Sequence, residues 1–160
     1  MIATIDLPLT AHRLPRTIKL ASMTCELCEQ EGGELIWRDE RCRVVHVEEP
    51  GYPGYCRVIW GAHVREMTDL PASDCAHLMR VVFAVEAALR ELIRPAKINL
   101  ASLGNVTPHL HWHVIPRAPD DPHFPNPIWG PRLRPPSPAE SRRPAGDIRR
   151  ALADRLSHPG

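Results

Sequence analysis

Several features that would settle a function class are missing from these 160 residues. No apolar run approaches the roughly 18 residues a membrane-spanning helix needs, so no membrane partner is expected. The formal net charge is only +1 with histidines neutral, which gives no electrostatic case for nucleic acid as the main partner. Residues 1–24 mix Asp6, His12, Arg13, Arg16 and Lys19 with apolar residues and show no apolar core followed by a cleavage site; a secretory signal is not expected, and a cytoplasmic location is. No internal repeat is visible. The chain has 5 cysteines, and an odd count without a signal argues against a disulfide framework. Cys42, Cys56 and Cys75 read as small buried hydrophobes. Cys25 and Cys28 stand apart as a C-x-x-C pair, a spacing that suits either a tetrahedral metal or two free thiols.

What is present suggests one domain with a real core, since 43% of residues are apolar. Residues 34–37, 42–47 and 56–60 are short β-prone runs, with Gly51, Pro53 and Gly54 marking a loop between the last two. Residues 73–93 carry Cys75, Leu78, Met79, Val82, Val85, Leu89 and Leu92 at helical spacing, with Ser73 as the expected N-cap. Residues 97–103 and 109–115 read as two further strands. Strands, one long helix, then strands again imply an α+β fold, an antiparallel sheet packed on a helix. Nine of the 18 prolines fall between Pro116 and Pro138. Proline lacks an N–H and fixes φ, so residues 117–144 are expected to run extended over the surface, kept solvated by Arg132, Arg134, Arg142 and Arg143. A short helix over 147–156 closes the chain. The expected organisation is an extension over 1–22, a domain over 23–130 and a Pro/Arg-rich tail over 131–160.

The chemistry concentrates in Pro108-His109-Leu110-His111-Trp112-His113-Val114-Ile115-Pro116. Side chains in a strand alternate faces with period 2, so His109, His111 and His113 are expected on one face and Leu110, Trp112 and Val114 on the other. A neutral imidazole is nucleophilic near pH 7. It can attack phosphorus, form a phosphoramidate and be released by water, while a neighbouring imidazole donates to phosphoryl oxygens. This requires an acceptor for the nucleophile's Nδ1–H, such as a backbone carbonyl. The route needs no catalytic metal.

The alternation resembles the histidine-triad family, whose motif interleaves three histidines with apolar residues and ends in two apolar residues. The wider run Lys97 to Asn105, then Asp121, His123-Phe124-Pro125 and Pro127-Ile128-Trp129, looks like a bacterial, diadenosine polyphosphate hydrolase-like branch of it; the similarity spans roughly residues 23–130. The resemblance implies an enzyme, a homodimer of α+β fold acting on dinucleoside polyphosphates, nucleoside phosphoramidates or related nucleotides. It makes His111 the nucleophile. His113 and Asn99 become phosphate contacts, Asn99 lying one residue closer to the triad than usual. Asn105, aligned with a family Gln, joins His109 and Glu48 among the expected nucleotide contacts. It also implies a structural zinc held by Cys25, Cys28, His63 and His109. Two positions depart from the family: Tyr55 stands where many members carry a histidine, and Trp60-Gly61 where they carry Pro-Lys. The remaining histidines, His12, His46, His77, His123 and His158, default to surface or supporting roles, and Trp129 to a part in nucleotide specificity. Two other readings stay open: a metal-dependent enzyme with the three histidines as ligands, and a nucleotide sensor or interaction module with little turnover.

Overall fold

The computed structural model describes residues 25–136 and 145–157. The expected extension over 1–22, with His12, lies outside the described residues, as do Arg142, Arg143 and His158. Five strands, β1 (Glu34–Arg38), β2 (Cys42–His46), β3 (Cys56–Trp60), β4 (Lys97–Ala101) and β5 (His111–Arg117), form one antiparallel sheet in the order β1-β2-β3-β5-β4. Among the described residues the α-helices α1 (Glu26–Glu29), α2 (Ala72–Leu92) and α3 (Ala145–Leu156) accompany it. The expected α+β architecture is the observed one.

Alternation along the strands divides the sheet into two unlike faces. On one, Cys42, Val44, Cys56, Val58, Trp60 and Val114 meet Leu78, Val81, Val82, Val85 and Leu89 of α2 in the main core. Fully burying each such side chain contributes about 1.5–3 kcal/mol, so this face carries the stability. The other face carries the register row Val45, Arg57, His113 and the row Arg43, Ile59, His111. Its two ends are covered by small apolar clusters. Leu27 of α1 packs on Val45 and Ile59 at one end, and Tyr52, Tyr55 and Ile115 gather at the other. The histidines lie between them.

Element ends differ from the sequence expectation for local reasons. Pro71, not Ser73, caps α2, and Ser73 falls inside the first turn; a proline fits that position because no intrahelical donor is needed there. Leu92, at the other end, is exposed. β5 starts at His111 and runs through Pro116 to Arg117. Pro116 is tolerated because β3 pairs only as far as Val114 and the strand beyond is held by β4 alone. Cys42 and Cys56 are buried, whereas Cys75 is half-buried and donates its S–H to the Met67 carbonyl. Gly54 turns the chain into β3 with φ +78°, and a Cβ there would meet Ile93 Cδ1 at 2.2 Å, so only glycine fits.

The proline-rich stretch does not simply lie over the surface. Asp121, Pro122 and His123 are buried. Arg117 donates to both Asp121 carboxylate oxygens, from Nε at 2.7 Å and from Nη2 at 3.0 Å, and the backbone N–H groups of His123 and Phe124 add to it. Burial by itself would raise the Asp121 pKa, but these donors outweigh it and hold the carboxyl below its ordinary value. Arg134, expected to keep the stretch solvated, instead donates to the carbonyls of Asp121 and Phe124. Polar anchoring replaces the backbone ladder that proline cannot make. Beyond it, α3 buries Ile148 and Leu152 in the same core as α2, and Arg149 donates to the Leu35 and Ile36 carbonyls of edge strand β1.

Candidate active site and metal cluster

The three triad histidines are all buried but do not act as one group. His111 and His113 project from β5 onto the open face with their Nε2 atoms 3.1 Å apart. His109 precedes the strand, and its ring turns away toward the two cysteines.

Hydrogen bonding assigns each tautomer. A carbonyl oxygen only accepts, so His111 Nδ1, 2.6 Å from the His109 carbonyl, carries the proton. Its Nε2 therefore keeps a lone pair. The contact to His113 then requires His113 Nε2–H to donate, which leaves His113 Nδ1 as an acceptor. Tyr55 supplies the matching O–H at 2.5 Å. The result is a directed chain: Tyr55 O–H to His113, His113 to His111, His111 to the His109 carbonyl. Burial pushes the His111 pKa down, partly offset by that carbonyl. Burial, with His111 and Arg57 nearby, lowers His113 to about 3. Both rings are neutral near pH 7. Ser102 Oγ donates to the His111 carbonyl at 2.9 Å and ties the loop before β5 to the strand.

Asn99 sits on β4 opposite Ile115, one step along the face from the Ala101–His113 pair. Arg117 Nη1 donates to its Oδ1 at 2.5 Å, which turns the amide N–H₂ to other partners. Trp129 stands edge-on to His113 with ring centroids 4.9 Å apart. Asn105 is exposed in the β4–β5 loop, and Glu48 is exposed just after β2. Of the expected nucleotide contacts, His109 offers His111 its carbonyl rather than its ring.

Cys25, Cys28, His63 and His109 do converge, with one ligand atom from each within 4.8 Å of the others. Cys25 Sγ and Cys28 Sγ each lie 3.4 Å from His109 Nδ1, and Cys28 Sγ is 3.4 Å from His63 Nδ1. Zn–S near 2.3 Å and Zn–N near 2.0–2.1 Å at a tetrahedral angle put sulfur and nitrogen about 3.5 Å apart, so the donor set fits a zinc ion. His109 Nε2–H donates to the Trp60 carbonyl at 2.7 Å, leaving Nδ1 as the free lone pair toward the thiols, the tautomer a ligand needs. The turn Cys28 N–H to Cys25 carbonyl, 2.9 Å, holds the two thiols on one side of α1.

Of the other described histidines, His46, in β2, and His123 are buried and His77 is half-buried. His77 pairs with Asp39 at 2.7 Å and ties α2 to the β1–β2 turn. His123 lies 2.5 Å from the Tyr52 hydroxyl, in the Asp121 knot.

The HIT domain family profile matches residues 29–120, more than half of the chain. The chain belongs to the HIT domain family. Solved HIT structures share its fold. A histidine triad protein from Bradyrhizobium japonicum is 28% identical, with a TM-score of 0.64, covering 79% of this chain and 92% of that one. One from Sinorhizobium meliloti is 29% identical at TM-score 0.64, covering 82% and 94%. A Zn-bound histidine triad family protein from Mycobacterium smegmatis is 25% identical at TM-score 0.60, covering 84% and 97%. No curated protein sequence matches the chain. Among the described residues no helix is long and apolar enough to cross a membrane.

Some partners of this HIT site had no clear signal in the sequence. Ser102, Arg117 and the Trp60 carbonyl act through contacts that only the fold creates. Tyr55 was visible only as a departure from the family pattern.

Proposed function

We propose that this HIT protein is a nucleotide phosphohydrolase or nucleotidyl transferase working through a covalent nucleotidyl-histidine at His111. The observation that carries this reading is the directed hydrogen-bond chain, which leaves a lone pair on His111 Nε2 beside an N–H donor on His113. In the first step Nε2 attacks the α-phosphorus. The N–P bond forms as the bond to the leaving group breaks, and its electron pair departs with that group, a phosphate leaving as its anion and an amine taking up a proton from water. The His113 Nε2–H swings from His111 to a phosphoryl oxygen, and the Asn99 amide donates to another. Water then adds to phosphorus, the P–N electron pair returns to Nε2, and one water proton is released.

A zinc ion on Cys25, Cys28, His63 and His109 is proposed as structural, in line with the Zn-bound relative. The four donors would fill a tetrahedral site and leave no position for water. When bound, zinc pins α1 to the segment before β5. The turning-away of the His109 ring also weighs against one catalytic metal shared by the three histidines. The domain is proposed to span 23–130 as a homodimer, with β4 one of the two edges of the sheet.

The test is turnover of a panel of dinucleoside polyphosphates and nucleoside phosphoramidates in the presence of chelator, with intact-protein mass read during steady state. A nucleotidyl adduct that localises to His111 is expected. Binding without turnover or adduct would make the protein a nucleotide sensor instead.

A further inference from the structure

Arg57, in the middle of β3, is a cation on the histidine face that the chemistry above leaves unused. We infer that Arg57 is a phosphate-binding residue of this site, its guanidinium taking phosphoryl oxygens of the group held at His111 and His113. The inference rests on the proposed nucleotide chemistry.

Arg57 lies directly across the β3–β5 ladder from His113. Residues opposed in an antiparallel ladder share a face, so the guanidinium rises from the same floor as the two imidazoles. Tyr55, two residues earlier, is on that side as well, and the Arg57 Cζ is 5.9 Å from its ring centroid. The charge is close enough to His111 and His113 to disfavour a second proton on either ring.

Two other arginines share this face, and both are committed. Arg43 donates to the carbonyls of Leu27, Gln30 and Glu31 and has the Glu31 carboxylate 3.5 Å away. Arg117 is held by Asp121 and Asn99. Arg57 pairs with no carboxylate among the described residues. Its Nη1 reaches the Gly32 carbonyl only at 3.4 Å, and its Nε is buried with no partner among the described residues. A buried donor left unpaired costs free energy, most of all on a charged group. A partner that arrives with the substrate accounts for keeping one here.

The site also lacks positive charge without it. His111 and His113 are neutral near pH 7, and the Asn99 amide carries no charge. A phosphate resting on neutral donors alone, partly withdrawn from water, would be short of counter-charge. A guanidinium stays protonated and presents a flat fork of N–H groups that matches two phosphoryl oxygens at once. Charge in phosphoryl transfer is spread over those same oxygens, so a fixed cation beside them serves both binding and transfer.

The test is equilibrium binding of adenosine 5′-monophosphate against adenosine, two probes that differ only in the phosphate. The wild-type protein is expected to prefer the monophosphate. In Arg57→Met, which keeps most of the aliphatic stem, that preference should fall about tenfold, the scale of one lost charged hydrogen bond, while adenosine affinity stays within about twofold. Arg57→Lys, which keeps the charge but not the fork, should retain part of the preference. An unchanged preference in Arg57→Met overturns the assignment, as does a wild-type protein that binds the monophosphate no better than adenosine. A variant that loses adenosine as strongly as the monophosphate overturns it too, because Arg57 would then only support the pocket. Turnover of adenosine 5′-phosphoramidate by the wild-type protein is read alongside. A phosphate preference that Arg57→Met removes, in a protein without turnover, keeps the phosphate contact and ends the hydrolase reading alone.

Discussion

His109 and His111 are the same side chain two residues apart, both buried, yet the structure prepares them for opposite tasks. His109 gives its Nε2 proton to the Trp60 carbonyl and presents Nδ1 to two thiols. His111 gives its Nδ1 proton to the His109 carbonyl and presents Nε2 to the open face. Which backbone oxygen takes the proton decides which ring nitrogen keeps its lone pair, Nδ1 toward the thiols in His109 and Nε2 toward His113 in His111. The fold makes that decision by ending the regular strand at His111, so that the ring of His109 escapes the alternation that would have stacked it with the other two.

Breaking the pair at its two members should therefore give opposite phenotypes. His111→Ala is expected to lower kcat/KM by roughly four powers of ten or more, as for other covalent nucleophiles, with the melting temperature nearly unchanged. His109→Ala keeps the carbonyl that orients His111 but removes one member of the proposed zinc site. Turnover measured at low temperature should survive far better than in His111→Ala. If both substitutions cost equal activity, the division of labour drawn from the tautomers is wrong.

The metal half of the comparison can be sharpened from the other side of the cluster. Cys28→Ser leaves the histidine pair untouched. Because zinc binding energy is folding energy and a chain this size loses about 2–4 °C per kcal/mol, a fall in melting temperature of roughly 10 °C is expected, with zinc content dropping from one ion per chain toward none. Prolonged chelation of the wild-type protein should reproduce the shift. Full zinc occupancy in Cys28→Ser, or no zinc in wild-type protein purified without chelator, would remove the cluster from the account.

Much of this division could be read before any coordinates. The period-2 pattern announced a strand with His111 and His113 on one side, though not that His109 would lie before it and turn away, and the helical spacing from Leu78 to Leu89 announced the layer behind it. The four ligands of the Cys/His cluster came from the family resemblance rather than from spacing, since a C-x-x-C pair alone does not say where its other partners are. Illegible were the features set by long-range hydrogen bonds. A carbonyl such as that of Trp60 has no signature in a sequence, because every residue has one. Arg117 and Asp121 fall in the stretch expected to run over the surface, and only the fold shows that each is buried because the other is there. The proline-rich stretch misled in the same way: proline forbids regular elements, but it does not forbid burial when side chains supply the hydrogen bonds.

The smallest expected effect falls on Tyr55, the residue that sets the tautomer of His113. The Tyr55 O–H occupies His113 Nδ1 and so forces the proton to Nε2, where it serves His111 at rest and, in the proposed reaction, a phosphoryl oxygen. Burial raises the Tyr55 pKa, which keeps the hydroxyl protonated and able to donate. Arg57 lies over its ring at 5.9 Å and, as a cation, disfavours a second proton on His113. Tyr55→Phe removes one neutral hydrogen bond, worth about 0.5–1.5 kcal/mol, so kcat should fall roughly two- to tenfold while KM moves less. A merely structural role would move neither the tautomer nor that split. Nitrogen-15 NMR of His113 supplies the independent reading: the wild-type ring should show a protonated Nε2 and a bare Nδ1, and the variant a mixture of the two tautomers. A variant whose His113 keeps the wild-type tautomer at wild-type kcat would show that the strand alone, without the hydroxyl, aims that proton.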